Sequence, residues 1–309
     1  MELRHLRYFV AVAEELHFGR AALQLGISQP PLSQQIQALE DELGVRLLER
    51  TNRRVALSEA GRLFLVEARA ALAQVDKAVA VARRAQRGEL GELKVGFTSS
   101  APFTSTIPRA IQAFRQACPE VHLDLHELSS RGVAEAVYER RLAVGMIRPL
   151  ALPEGMTALE LFAEPLVAVL PAGHRLAAAD AALTLCELAE EPFVFFPRTF
   201  GTGLYGQLQQ LARAAGFSPR IVQEASEAMT LIGLVATGLG VTVLPASFSR
   251  MRIDGVVWRT LADPGASTAV WLVRREDEAS PLVGRFVELL EAEAQRSRLQ
   301  AGAVGGRSA

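Results

Sequence analysis

Gln29, Ser33, Gln34 and Gln37 are uncharged side chains that donate and accept hydrogen bonds, and their spacing places them on one outward face of a helix. Such a row suits the edges of bases in a major groove, where a glutamine amide can pair with adenine. Ser28 stands just before the row as an N-cap. Pro30 and Pro31 sit in the first helical turn, where proline is tolerated because those amides have no intrahelical partner. Ser28, Pro30 and Pro31 are expected to face DNA with that row. Asn52, Arg53 and Arg54 form a turn between two short extended runs, from which the two arginines would reach phosphates or the minor groove.

A second set of residues points to a small anion with an apolar body. Ser99, Ser100, Ser130 and Arg148 lie at the ends of three predicted strands, where ligands of doubly wound sheets bind. Thr202 lies among glycines at the start of a predicted helix, whose amides would face an anion. Phe200, Phe103 and Met229 would supply an apolar wall. A lobe-bridging acid such as Glu227 is an alternative partner for Arg148.

The elements that must position these residues follow from periodicity. Phe18–Leu25 reads as a short helix stopped at Gly26, and Ile27 staples the turn to the core. Leu32, Ile36, Leu39 and Leu43 form the buried stripe of the next helix. Leu47–Thr51 and Val55–Leu57 make a two-stranded wing. Ser58 caps a long helix to about 86, roughly 45 Å if thirty residues long. Its stripe of Phe64, Ala68, Ala71, Val75, Ala78 and Ala82 predicts an arm that pairs with a second copy.

After a hinge at 87–92, strands and helices alternate, which predicts parallel strands with crossover helices. The predicted strands are 93–97, 121–128, 144–147, 166–170, 193–196, 220–223, 241–244 and 268–273. The predicted helices are 107–116, 133–141, about 202–215, 228–237 and 282–294. The expected fold class is α + α/β: an N-terminal winged helix-turn-helix over 1–58, a linker helix over 59–88, and a two-lobed, periplasmic-binding-protein-like α/β effector domain over 92–300. Lobe I would span about 92–160 and 266–300, and lobe II about 161–265. Residues 301–309 are glycine- and alanine-rich and read as a disordered tail.

Bulk properties narrow the function. At 309 residues with half of them apolar, the chain can build more than one core. Residues 1–65 hold eight arginines and eight acids, so any positive field is local. Residues 46–62 hold five arginines against two acids, and one copy should bind DNA modestly. No signal peptide and no membrane-spanning run is expected, which points to the cytoplasm. Cys118 and Cys186 are isolated thiols. Lys77 and Lys94 are the only lysines, and neither is placed to form a Schiff base. His122 and His126 share a strand face with Asp124, but are some 13 Å apart at about 3.3 Å per residue, too far for one metal. Neither an enzyme nor a cofactor is expected. The rival reading is a two-lobed solute-binding protein of transport, which leaves the first 90 residues without a purpose.

The chain resembles LysR-type transcriptional regulators. The resemblance rests on Ala21-Ala22-Leu23, Ser28-Gln29-Pro30-Pro31-Leu32-Ser33, Leu39-Glu40, Leu43-Gly44-Val45, Leu47-Leu48-Glu49-Arg50 and Leu57-Ser58-Glu59-Ala60-Gly61, and covers all but the tail. It implies base contacts at Gln29, Pro30, Pro31, Ser33 and Gln34, with the wing at Arg53; Gln34 stands where other members carry arginine. It also implies a linker-helix dimer, a tetramer through the regulatory domains, RNA polymerase as a partner and an inducer between two lobes. Val95-Gly96-Phe97-Thr98-Ser99-Ser100-Ala101 and Gly201-Thr202-Gly203-Leu204-Tyr205 look most like regulators answering to phenylpropionate or cinnamate and, more distantly, muconate. Carried over from muconate-responsive members, the inducer contacts would be Ser100, Ser130, Arg148, Phe200 and Thr202.

Overall fold

A computed structural model describes residues 1–51, 54–178, 181–201 and 203–305. The chain divides into two compact units between Ala85 and Gln86. Arg53 and Thr202 lie outside the described residues.

The first unit is built from α1 (Leu3–Glu15), α2 (Phe18–Gln24), α3 (Gln29–Leu43), a hairpin of β1 (Leu48–Thr51) and β2 (Arg54–Leu57), and α4 (Glu59–Gln86). Gly26 takes the left-handed conformation (φ 66°) that turns the chain from α2 into α3. Leu32, Ile36 and Leu39 of α3 are fully buried against Phe9 and Val12 of α1 and Leu47 and Leu48 of the wing. Arg54 is not in the turn, as the sequence suggests: it is the first residue of β2, paired with Thr51. Ser28 occupies the N-cap of α3 with extended backbone, but its side chain makes no cap hydrogen bond.

Ser58 caps α4 by accepting from the Gly61 amide at 2.9 Å. A Cβ on Gly61 would lie 2.0 Å from the Leu47 carbonyl oxygen, so only glycine lets the helix start so close to the wing. The expectation that the whole stripe from Phe64 to Ala82 is free for a partner needs correction. Phe64 meets Phe9 edge-on at 5.2 Å, and Ala68 is buried in the same core. The stripe serves its own unit first, because a small three-helix core gains more apolar burial by adding a fourth wall. Beyond it Ala71, Ala78 and Ala82 are exposed and Val75 is half-buried.

The second unit has a core on each face of lobe I's sheet and a third in lobe II. Its elements are β3 (Gly91–Phe97), α5 (Thr106–Ala117), β4 (Val121–Glu127), α6 (Ser130–Tyr138), β5 (Val144–Ile147), β6 (Met156–Pro171), β7 (Pro192–Phe195), α7 (Gly203–Ala214), β8 (Arg220–Glu224), α8 (Ala228–Ala236), β9 (Thr242–Pro245), β10 (Val256–Thr260), β11 (Ser267–Arg275) and α9 (Pro281–Gly305). The order in the large sheet is β10-β6-β11-β5-β3-β4, with β9 also on β6. Among the described strands β3–β4, β3–β5 and β7–β8 pair in parallel, and an isolated parallel bridge joins Phe193 to Val241; β6 and β11, which carry the chain out of lobe I and back, pair antiparallel with all their neighbours. Lobe I packs Val95, Phe114, Val144 and Phe286 around one of its cores, and lobe II packs Leu170, Phe193, Phe195, Leu231 and Phe248 around its own.

β6 is far longer than the predicted 166–170. It pairs with β11 up to Pro165 and with β9 from Leu166, so the proline falls where the strand changes partners. β10 is a strand that the sequence reading leaves out. The last helix runs to Gly305, five residues into the segment that composition reads as disordered, because extending a formed helix through alanines costs little.

Candidate functional site

In the first unit the outward face of α3 is open. Gln29, Pro30, Pro31, Gln34 and Gln37 are exposed, as is Ser28, and Ser33 is half-buried. Gln37 donates to Asp41 one turn on, at 2.9 Å. Gln35, one step round, instead meets His5 of α1 at 2.8 Å and faces the protein.

Glu40 positions this face, a role that sequence reasoning missed. It is buried at the back of α3 and accepts from the Leu47 and Leu48 amides at 2.7 and 2.9 Å. Its other oxygen takes Arg50 at 2.9 Å, and the Arg50 guanidinium lies 5.0 Å over the Phe18 ring of α2. One carboxylate thus joins the reading helix, the wing and the preceding helix. A lone acid on an otherwise apolar helix stripe, beside Leu39, is the signal that could have revealed it.

In the second unit a cavity of about 450 Å³ lies between the lobes, within the range of small-ligand sites. Ser99, Ser100, Ser130, Arg148 and Phe200 all line it. Met229 does not: it is half exposed on α8, rotated about 100° from the buried Ala228. Phe103 lines a neighbouring cavity instead, and the apolar wall is made by Phe196, Phe200, Leu204 and Phe248. Phe200 stacks on Phe196, centroids 6.1 Å apart and rings within 10°. The Arg131 amide donates to the Gly201 carbonyl at 3.1 Å, joining the start of α6 to the opposite lobe.

Arg148 forms the floor with almost no exposure. One of its terminal nitrogens donates to Ser100 Oγ at 2.7 Å and to Glu164 at 2.5 Å, while its backbone amide donates to Ser130 Oγ at 3.2 Å. The acid paired with Arg148 is therefore Glu164, not Glu227. Glu164 reaches it because β6 passes beside β11, and the Ser247 amide and hydroxyl hold the same carboxylate at 2.6 and 3.2 Å. Burial pulls the guanidinium below its ordinary value, against the opposing charge and hydrogen bond of Glu164. Ser100 and Ser130 thus spend an acceptor lone pair on Arg148. Each hydroxyl has one proton to give besides, and the Ser100 hydroxyl also lies 3.5 Å from Thr98 Oγ1, where either can donate.

His126 pairs with Asp124 at 2.8 Å on the exposed face of edge strand β4, and among the described residues no His, Cys, Asp or Glu cluster could hold a metal ion. No helix among them is long and apolar enough to cross a membrane.

An exposed reading helix with a wing, followed by a two-lobed cavity domain, matches known families over both parts. Residues 3–62 match the bacterial regulatory helix-turn-helix protein model of the lysR family, and residues 86–295 match the LysR substrate binding domain. The chain belongs to the LysR family. It is 50% identical over 294 residues to the uncharacterized HTH-type transcriptional regulator YnfL of Escherichia coli (strain K12), covering 94% of this chain and 99% of that protein. It is 39% identical over 302 residues to the HTH-type transcriptional regulator AlsR of Bacillus subtilis (strain 168), covering 96% and 98%. The crystal structure of full-length CbnR complexed with target DNA is similar with a TM-score of 0.79 at 28% identity, covering 95% of this chain and 100% of that one. This regulator is therefore a DNA-binding transcription factor with an effector-binding domain, and not an enzyme. The transport-protein alternative falls, because the first 62 residues carry the family's DNA-binding module.

Proposed function

We propose that this regulator binds one small aromatic monocarboxylate between its lobes and that this ligand changes how it holds operator DNA. The observation that carries the reading is the pair of buried serines. Ser100 and Ser130 both line the cavity and both accept from Arg148, so each presents its proton to a carboxylate. The N-terminus of α6, which starts at Ser130, adds favourable dipole. Phe196, Phe200 and Phe248 give a ring its apolar contact. Thr202 and Ser99 complete the contact set, and Met229 drops out of it.

On DNA, Gln29, Ser33, Gln34 and Gln37 read bases, Ser28, Pro30 and Pro31 seat the helix end, and Arg53 and Arg54 hold the backbone or the minor groove. The protein works in the cytoplasm as a dimer through the exposed part of α4, assembled further into a tetramer, and contacts RNA polymerase at its promoters. Leu63 and Val66, about two-thirds exposed on α4, and Val79 and Val81, nearly half exposed, support an arm that is covered by a second copy.

The DNA assignment has a direct test. The double substitution of Ser33→Ala with Gln34→Ala is expected to cost about 1–3 kcal/mol per lost base contact and to relax sequence preference. Arg53→Ala should weaken all sequences evenly and flatten the salt dependence. Fluorescence anisotropy on specific and scrambled operators separates the two patterns. Unchanged affinity and footprint in the double variant would overturn the base-reading role.

A further inference from the structure

The cavity's charge goes further than its hydroxyls. Among its described lining residues Arg148 is the one cation, and Glu164 already matches that charge at 2.5 Å. Arg148 Nε is buried with no hydrogen-bond partner, and the floor holds no unspent charge. Glu127, at the end of β4, and Glu227, at the N-cap of α8, line the same cavity from opposite lobes. Both are exposed, and neither side chain has a hydrogen bond or ion pair among the described residues. A cube of 450 Å³ has an edge of roughly 8 Å, shorter than the ~10 Å Debye length at 0.1 M salt. Charges on the rim therefore act on any charge inside.

We infer that Glu127 and Glu227 select the inducer by charge, admitting a monocarboxylate and turning away a dicarboxylate. The inference rests on the cavity being the inducer site. One carboxylate is met by the hydroxyls of Ser100 and of Ser130, which starts α6, beside the Arg148 guanidinium. A second carboxylate finds no further cation among the described lining residues and two like charges near it, one from each lobe. Because α8 and β4 lie on opposite sides of the cleft, a dianion would also oppose closure of the lobes upon it. The muconate-type ligands of the more distant resemblance are thereby disfavoured, and the phenylpropionate type favoured.

The test uses three probes on one skeleton: 3-phenylpropionate, its para-carboxylate and its para-carboxamide, which matches the carboxylate in size without its charge. Each is titrated calorimetrically into the full-length wild type and into the Glu127→Gln, Glu227→Gln double variant. Both substituted residues are exposed, so the variant keeps its fold. The para-carboxylate is expected to bind the wild type about tenfold or more weakly than the carboxamide, the factor that ~1.4 kcal/mol corresponds to. In the variant that gap should close to within about threefold, and in the wild type it should narrow with added salt. An equal gap in both proteins would overturn the selection while leaving the inducer site standing, provided that phenylpropionate binds. Exclusion of both substituted acids would also overturn it, since size would then be the barrier. Binding of none of the three to the wild type would overturn the inducer reading and the selection with it.

Discussion

Glu40→Ala is expected to abolish specific operator binding and to destabilise residues 1–85 by about 3–5 kcal/mol. The substitution leaves the Leu47 and Leu48 amides without their acceptor in a buried place, at a cost of about 1–3 kcal/mol each. It also releases Arg50, whose share is smaller because that side chain is 30% exposed. A domain stable by roughly 5–15 kcal/mol then keeps little margin, and the wing loses its fixed place beside α3. Glu40→Gln keeps an acceptor oxygen for the amides and should recover most of the stability. Calorimetric unfolding together with anisotropy on operator DNA checks both halves. Glu40→Ala with wild-type unfolding and affinity would show that the carboxylate does not hold the wing.

The second large effect lies under the cavity. Arg148→Met is expected to cost about 3–5 kcal/mol, since it strands the Glu164 carboxylate, which is only 12% exposed, with Ser247 alone. Glu164→Leu strands the guanidinium and should cost as much. Combining the two should restore most of the stability, because a buried ion pair is close to neutral against apolar groups of similar volume. The double variant should nonetheless lose affinity for an aromatic acid, because Ser100 loses the guanidinium that orients it and the cavity loses its cation, while Ser130 keeps the backbone amide of residue 148. A double-mutant cycle in urea measures the coupling. Additive single costs would mean that the two charges are not paired in solution.

The DNA-reading unit was largely legible because its signals are local. Gly26, the prolines after Ser28 and the stripe from Leu32 to Leu39 each act within a few residues, and the sequence carries them directly. The placement of Ser100, Ser130 and Arg148 beside one cavity was legible for a related reason: a strand end can be placed from its own apolar run. What failed depended on partners far along the chain. The first half of β6 contains alanine, leucine and glutamate, which favour helix, and becomes strand only by pairing with β11 about a hundred residues later. With that half missing, Glu164 could not be placed beside Arg148, and Glu227 stood in for it. Val256–Thr260 escaped for the same reason, since it is short and set by its pairing with the end of β6. Phe64 and Ala68 fit a heptad, and periodicity alone cannot say whether such a stripe meets its own unit or a second copy.

We propose that an aromatic monocarboxylate occupies the cavity between the lobes, held by Ser100 and Ser130. The most direct test is a crystal structure of the regulator saturated with 3-phenylpropionate. The carboxylate is expected within hydrogen-bond distance of both hydroxyls, about 2.5–3.0 Å, with the ring against Phe200 and Phe248. An acid bound elsewhere, or a cavity still empty at saturation, would contradict it.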